Sequence, residues 1–337
     1  MSSDRSPDPQ EILRRTSRTF ALSLAALPGV MREPVEVAYL LARAADTIAD
    51  TGPVAVEKRI EGLRALRAAV AGAGSGPPDF AGVGPGSGRD DPVAAAEAAL
   101  LDGIRPLLTR LEALDPADLG EVRRVVARLL RTMEGELAWF LPGQRAGVTA
   151  WPDAPALEAY TDGIAGCVGP FWMRLVRRHV HAFSPREFRM LEVEARRYGR
   201  GLQLVNILRD LPRDLRRGVC FLPLDELAAV GLQPGDLLRG EWVAPLAPVL
   251  ERYGRRARCG LVAGLALAAR IPVRSWSVRI ATALPAVLGL RTLERLEGHP
   301  RRLDPAARIR ISRRSVRWEM LRTAFLCLLP KGPRLLV

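Results

Sequence analysis

Two four-residue segments constrain the fold of this chain most: Asp8-Pro9-Gln10-Glu11 and Ser184-Pro185-Arg186-Glu187. Each places a capping side chain before a proline, with an acid three residues after the cap, which is how a helix begins. The proline sits where the missing N–H has no intrahelical partner in any case. Asp115-Pro116 and Asp304-Pro305 repeat the cap and the proline. From Val122 to Leu137 apolar residues fall at 122, 125, 126, 129, 130, 133 and 137, the stripe of an amphipathic helix. No alternating run is bounded by hairpin turns, and aromatics are only 5% of the chain, so strands are not expected. The sequence reads as all-α, with helices near 8–28, 32–51, 54–72, 92–114, 117–141, 155–180, 184–211, 223–230, 243–270, 274–297 and 304–328.

The chain has 337 residues, 48% of them hydrophobic, enough for one large helical core or two medium ones. Ala71 to Pro92 is rich in Gly, Pro and Ser and reads as a flexible loop within the fold. The candidate site residues lie on both sides of it, so the expectation is a single domain over 1–337 with a polar tail over 1–10. The net charge is +13 and the pI near 10.8, which attracts polyanions such as nucleic acid, anionic lipid headgroups or diphosphates. Arginine-solvated helix faces give the same balance, so charge alone does not choose a partner.

Four scattered cysteines and three histidines suggest neither a zinc site nor a disulfide framework. A cytoplasmic protein is the natural expectation. Met1 to Gln10 has no apolar core and does not read as a signal peptide. No run of about 18 apolar residues is present, so no transmembrane helix is expected.

The chemistry is concentrated in two segments. Tyr39-Leu-Leu-Ala-Arg43-Ala-Ala-Asp46-Thr-Ile-Ala-Asp50 carries two aspartates at i and i+4, on one helix face with Arg43. Their neighbours are almost all Leu, Ile and Ala, and burying unpaired carboxylates is costly, so something must compensate them. An Arg43–Asp46 ion pair with Asp50 exposed is the bland reading of this segment taken alone. A second segment, Gln203-Leu-Val-Asn206-Ile-Leu-Arg209-Asp210-Leu-Pro-Arg213-Asp214, repeats the aspartate spacing. It adds Gln203 and Asn206 to one polar stripe of an apolar helix. Oxygen donors in this pattern suit a hard cation such as Mg²⁺, which takes one or two carboxylates and completes its shell with water and phosphate oxygens. Two such helices facing each other would hold a diphosphate through bridging Mg²⁺, with Arg43, Arg209 and Arg213 neutralising it as it leaves.

These segments fall in order with two others. Ser17-Arg18-Thr19-Phe20, Arg43 to Asp50, Tyr160-Thr-Asp-Gly-Ile-Ala-Gly166-Cys-Val-Gly169 and Gln203 to Asp210 together resemble the blocks of the squalene/phytoene synthase family. The likeness runs from about Ser17 to Pro223 and more loosely to Val316. Ala281 to Leu293 and Ile309-Arg-Ile-Ser-Arg-Arg look more like the squalene synthases of bacteria than like phytoene synthases.

The resemblance implies an isoprenoid-synthase helical bundle with a central cavity. It implies head-to-head condensation of two prenyl diphosphates, two farnesyl diphosphates giving presqualene diphosphate and then squalene. Asp46, Asp50, Asp210 and Asp214 become metal ligands with Asn206 beside them. Ser17, Arg18, Arg43, Arg209, Gln203 and Asn206 become diphosphate contacts. Tyr160 becomes a catalytic residue with Arg43, Asp46 and Asp210. A carbocation needs a dry apolar wall, for which Phe20, Val168, Leu202 and Val205 are candidates. Reduction to squalene would draw on NADPH. No Gly-x-Gly-x-x-Gly between a strand and a helix is visible, and the resembling squalene synthases lack that site too.

The same motifs suit synthases of dehydrosqualene, hydroxysqualene, presqualene diphosphate or phytoene. A catalytically silent assembly factor of the same family is the non-enzyme alternative, and it would be expected to have lost the aspartates kept here. Nucleic acid is not an expected partner, since no binding motif or stacking pattern accompanies the charge. Peripheral contact with anionic lipid at the inner membrane face is expected from the net charge and from Trp318 to Pro330, where Arg mixes with Leu, Phe and Met. Pro212, between Asp210 and Asp214, is expected to kink or end its helix and to unsettle Asp214 as a ligand.

Overall fold

Helix starts appear where capping side chains precede proline. Ser184 Oγ accepts the Glu187 N–H at 3.3 Å and Asp115 accepts the Ala117 N–H at 3.0 Å, as their sequences predict. Asp153 and Ser312 cap in the same way, accepting from Ala156 and Ser315. The computed structural model describes residues 24–51, 54–73, 78, 80, 83, 92–143, 147–239, 243–297 and 311–336. The caps at Asp8 and Asp304 lie outside them.

The helices are α1 Gly29–Asp50, α2 Val56–Ala71, α3 Pro92–Asp102, α4 Ile104–Glu112, α5 Pro116–Gly143, α6 Ala154–Thr161, α7 Val168–His179, α8 Pro185–Arg216, α9 Leu224–Ala228, α10 Val243–Arg270, α11 Trp276–Glu297 and α12 Arg313–Cys327. Two short strands, β1 Thr149–Trp151 and β2 Val219–Pro223, pair in parallel. The fold is all-α.

The chain forms two compact units, residues 1–138 and 139–337. In the first, α1 packs against α2, α3 and α4, burying Leu40, Leu41, Ala44, Ala45 and Ile48 completely or nearly so. In the second, α8 packs along α10, α7 and α11, and α11 packs on α12.

Four sequence expectations are corrected. The helix expected over 92–114 breaks at Gly103, because the Pro106 ring would collide with the carbonyl of Asp102 in a continuous helix. The helix expected over 155–180 is interrupted by a π turn, Asp162–Gly166, where the Cys167 N–H reaches back to the Asp162 carbonyl. The helix expected to end before Pro212 runs on to Arg216. Leu211, Pro212, Asp214 and Leu215 are all buried there, so packing holds the turn that the proline weakens. The fourth is β2, a short continuous apolar run with none of the alternation that marks a half-exposed strand.

Candidate active site

Helix α1 turns its leucines and alanines inward, which leaves Arg43, Asp46 and Asp50 together on another face. Arg43 Nη1 lies 3.7 Å from Asp46 Oδ2, and Asp50 is exposed, so both features of the bland reading are present. A third acid changes its meaning. Glu97 on α3 accepts a hydrogen bond from Arg43 Nη2, so the guanidinium is shared between two carboxylates with a third nearby. Desolvation pushes the Asp46 carboxyl up to about 7; Arg43 pulls it back, and Asp50 and Glu97 raise it further. Protein crowds Asp46, yet 44% of its side-chain surface stays open. A cation can therefore reach it and would reverse the shift.

Burial pulls the Arg43 guanidinium down, and Asp46 and Glu97, with Tyr39, more than offset that. Its Nε–H is buried with no hydrogen-bond partner among the described residues. An orphaned guanidinium N–H in that position is a donor waiting for an anion.

Helix α8 carries the second set. Asn206 Nδ2 donates to Gln203 Oε1 at 3.3 Å, and Gln203 Nε2 donates to the Tyr160 hydroxyl at 3.4 Å. This short relay links the polar stripe of α8 to α6. Arg209 binds Asp210 through both Nε and Nη2, at 3.0 and 2.6 Å. Because α8 continues past Pro212, Asp214 follows Asp210 by one turn, as their spacing alone predicts. Asp214 keeps only 10% of its side-chain surface, with Arg213 Nε at 3.5 Å. Burial raises its pKa to about 6, against the pull of Arg213 and Arg217 and with the push of Asp210.

Tyr160 is buried among aromatic rings. Phe221 stacks on it at 5.0 Å between centroids, and Trp151 tilts against it at 5.5 Å. Phe140 packs edge-on against both Trp151 and Phe221. Immediately after Tyr160, the π turn brings Asp162 onto Arg196 at 2.7 and 2.9 Å and onto Arg200 at 3.0 Å. Two glycines of this region have a steric reason. A Cβ at Gly169 would meet the Ala195 carbonyl oxygen at 1.9 Å, and one at Gly199 would meet that of Ala165 at 2.2 Å. A side chain at Gly169 would force α8 away from α7, and one at Gly199 would force it away from the π turn that follows Tyr160.

Of the other sequence candidates, Ser17, Arg18 and Phe20 lie outside the described residues. Val205 is buried, Leu202 is half-buried and Val168 is exposed. Sequence reasoning missed Glu97 and the rings around Tyr160. Glu97 could have been found by the criterion that found Asp46, since it is an acid in the otherwise apolar Ala94-Ala-Ala-Glu97-Ala-Ala-Leu-Leu.

All the candidate metal donors are oxygens, which suits Mg²⁺ rather than zinc. Among the described residues, no three or more His, Cys, Asp or Glu side chains gather into a metal cage of their own. That fits a cation held by one or two carboxylates and completed by water and phosphate oxygens. The crowding that lifts Asp46 and Asp214 is the condition such a cation relieves, so the residues fit the ion.

Comparison with known proteins finds relatives in both sequence and fold. A family model described as squalene/phytoene synthase matches residues 13–315. A bifunctional lycopene cyclase/phytoene synthase from Colletotrichum graminicola is 29% identical over 255 residues, 72% of this chain and 40% of that protein. Presqualene diphosphate synthase from Zymomonas mobilis is 26% identical over 231 residues, 68% of this chain and 65% of that protein. The chain thus spans less than two thirds of either relative's length. The structure of TcSQS with the ligand E5700 superposes with a TM-score of 0.76 at 20% identity, covering 96% of this chain and 87% of that one. It is alike in fold.

Proposed function

This chain belongs to the squalene/phytoene synthase family, and on that premise we propose that it joins two prenyl diphosphates head to head. Farnesyl diphosphate is the substrate and presqualene diphosphate the first product, carried on to squalene where NADPH supplies a hydride. The observation that carries this reading is the pair of aspartates on α1 and the pair on α8, with Asp46 and Asp214 both held above the usual carboxylate range by crowding. Intact pairs also speak for an enzyme and against a silent family member.

In this reading Asp46, Asp50, Asp210 and Asp214 hold Mg²⁺, with Asn206 beside them. When bound, the ion supplies the positive charge that makes diphosphate a competent leaving group. Arg43 offers its unpartnered Nε–H to the diphosphate while Glu97 fixes the rest of the guanidinium. Arg209 is oriented by its two bonds to Asp210. As the C1–O bond breaks, the allylic cation is attacked by the 2,3-alkene of the second molecule, and loss of a proton closes a cyclopropane. The Tyr160 hydroxyl, positioned by Gln203, is the group available to steer that proton or the cation. The ring faces beside Tyr160 favour positive charge.

The test is incubation with farnesyl diphosphate and Mg²⁺, with and without NADPH, with products read by mass spectrometry. Parallel reactions contain EDTA or the Asp46→Ala variant. Squalene formed only with NADPH supports the full reading. Presqualene diphosphate, hydroxysqualene or dehydrosqualene as the end product keeps the condensation and replaces the product. Turnover of geranylgeranyl diphosphate alone moves the activity to phytoene synthesis. No turnover of either substrate by folded protein overturns the catalytic claim.

A further inference from the structure

Helix α12 is amphipathic the wrong way round for a protein surface in water. Its packed face carries Glu319, Thr323 and Cys327, all buried. Glu319 is bound there by Arg291 at 2.8 Å and by Arg322 at 3.4 Å. The opposite face carries Trp318, Leu321, Phe325 and Leu328, at i, i+3, i+7 and i+10. The first three are 64%, 68% and 66% exposed, and Leu328 is exposed as well. Leu329 and Leu335 extend the apolar surface beyond the helix. Apolar side chains at helical spacing normally turn toward a core, and a contiguous exposed set marks a surface that something covers.

The helix is fixed in this orientation. Arg279, almost fully buried on α11, donates from Nη2 to the carbonyls of Leu329 and Pro330 at 2.8 and 3.0 Å. Both carbonyls lie just past the last turn of α12, so the bonds tie the segment that leaves the helix to α11. Trp276, one turn before Arg279, is a further exposed aromatic at the start of α11.

Charge selects the occupant. Between residues 312 and 336 the sequence has six Lys or Arg and one acid, Glu319, and that acid is committed inside. Arg314 and Arg317 are exposed beside the first turn of the stripe, and Lys331 and Arg334 lie beyond its end, also exposed. A second copy of this chain would set one basic rim against another. An anionic bilayer meets both demands, taking the rings and leucines below its headgroups and the arginines among them. We propose that the outer face of α12, with Leu329 and Leu335, is a docking surface for anionic lipid membranes.

The experiment is flotation of the purified full chain with vesicles of phosphatidylcholine alone and of phosphatidylcholine mixed with phosphatidylglycerol. The variants are the triple W318E/L321E/F325E and, as a control at exposed apolar residues of α8, M190E/V193E. Circular dichroism confirms that each is folded. Wild type and control should float with the mixed vesicles at least about tenfold better than with neutral ones, since each basic residue near the surface adds on the order of 1 kcal/mol. The triple variant should stay in the dense fraction. Negligible flotation of wild type overturns the proposal, as does equal loss in the control. Light scattering showing a wild-type dimer that the triple variant loses, without flotation, overturns it in favour of a second copy.

Discussion

The two aspartate pairs stand in opposite electrostatic circumstances. On α1, Asp46 and Glu97 share Arg43, and Asp50 adds a third negative charge beside Asp46. On α8, Asp210 has Arg209 at 2.6 Å and Asp214 has Arg213 at 3.5 Å, with Arg217 adding to the pull. The first pair is short of positive charge and half-open to solvent. The second is nearly balanced, and what raises Asp214 is burial. A divalent cation therefore has most to offer at α1, where it supplies charge that the protein does not. At α8 it must compete with arginines already in place.

That contrast ranks the outcomes of substitution. Asp46→Asn, which keeps shape and removes the charge, should lower kcat by about 10³-fold, the scale of losing one preorganised electrostatic group. Asp214→Asn should cost less, on the order of 10-fold to 100-fold, because Arg213 and Arg217 remain to bind diphosphate. Steady-state kinetics over a Mg²⁺ series measures both. Equal losses would break the asymmetry, and a larger loss at Asp214 would reverse it.

Glu97→Gln sharpens the same comparison from the arginine side. Glu97 anchors Arg43 and is not proposed to touch the metal, so its loss should loosen the diphosphate contact. The expected result is a rise in KM of about 3-fold to 10-fold with kcat nearly unchanged, the signature of lost uniform binding. A fall in kcat as deep as that of Asp46→Asn would instead place Glu97 among the metal ligands.

How much of this was legible in the sequence depended on the range of the interaction. The caps at Asp115 and Ser184 and the i, i+4 aspartates are local devices, read from spacing because helix geometry alone fixes their neighbours. The Glu97 bond to Arg43 joins residues 54 apart, and the rings around Tyr160 come from α5, β1 and β2 as well as α6. Nothing in a linear pattern brings those together. Pro212 shows the reverse error: a local rule predicted a break, and the burial of Leu211, Pro212 and Leu215 overrode it. Asp102–Gly103 broke where the same rule, applied to Pro106, would have marked the break.

The smallest effect is one of pH on stability in EDTA, and its sign separates crowding from pairing. Asp46 titrates near 7 when folded and near 4 when unfolded, so the folded state binds its proton more tightly. The stability this contributes is complete below about pH 4 and is lost as pH rises through 7. The Asp214 shift, to about 6, has the same sign over a narrower window. Asp46→Asn removes the larger dependence, so its Tm relative to wild type should rise between pH 5 and pH 8. Adding Mg²⁺ at pH 8 should raise the wild-type Tm and leave the variant's nearly fixed, because the cation stabilises the charged carboxylate that crowding disfavours. Thermal melts at the two pH values, with and without Mg²⁺, decide it. A wild-type advantage that grows with pH in EDTA would mean that Arg43, not the crowding of Asp46 by Asp50, Glu97 and buried surface, controls this carboxylate.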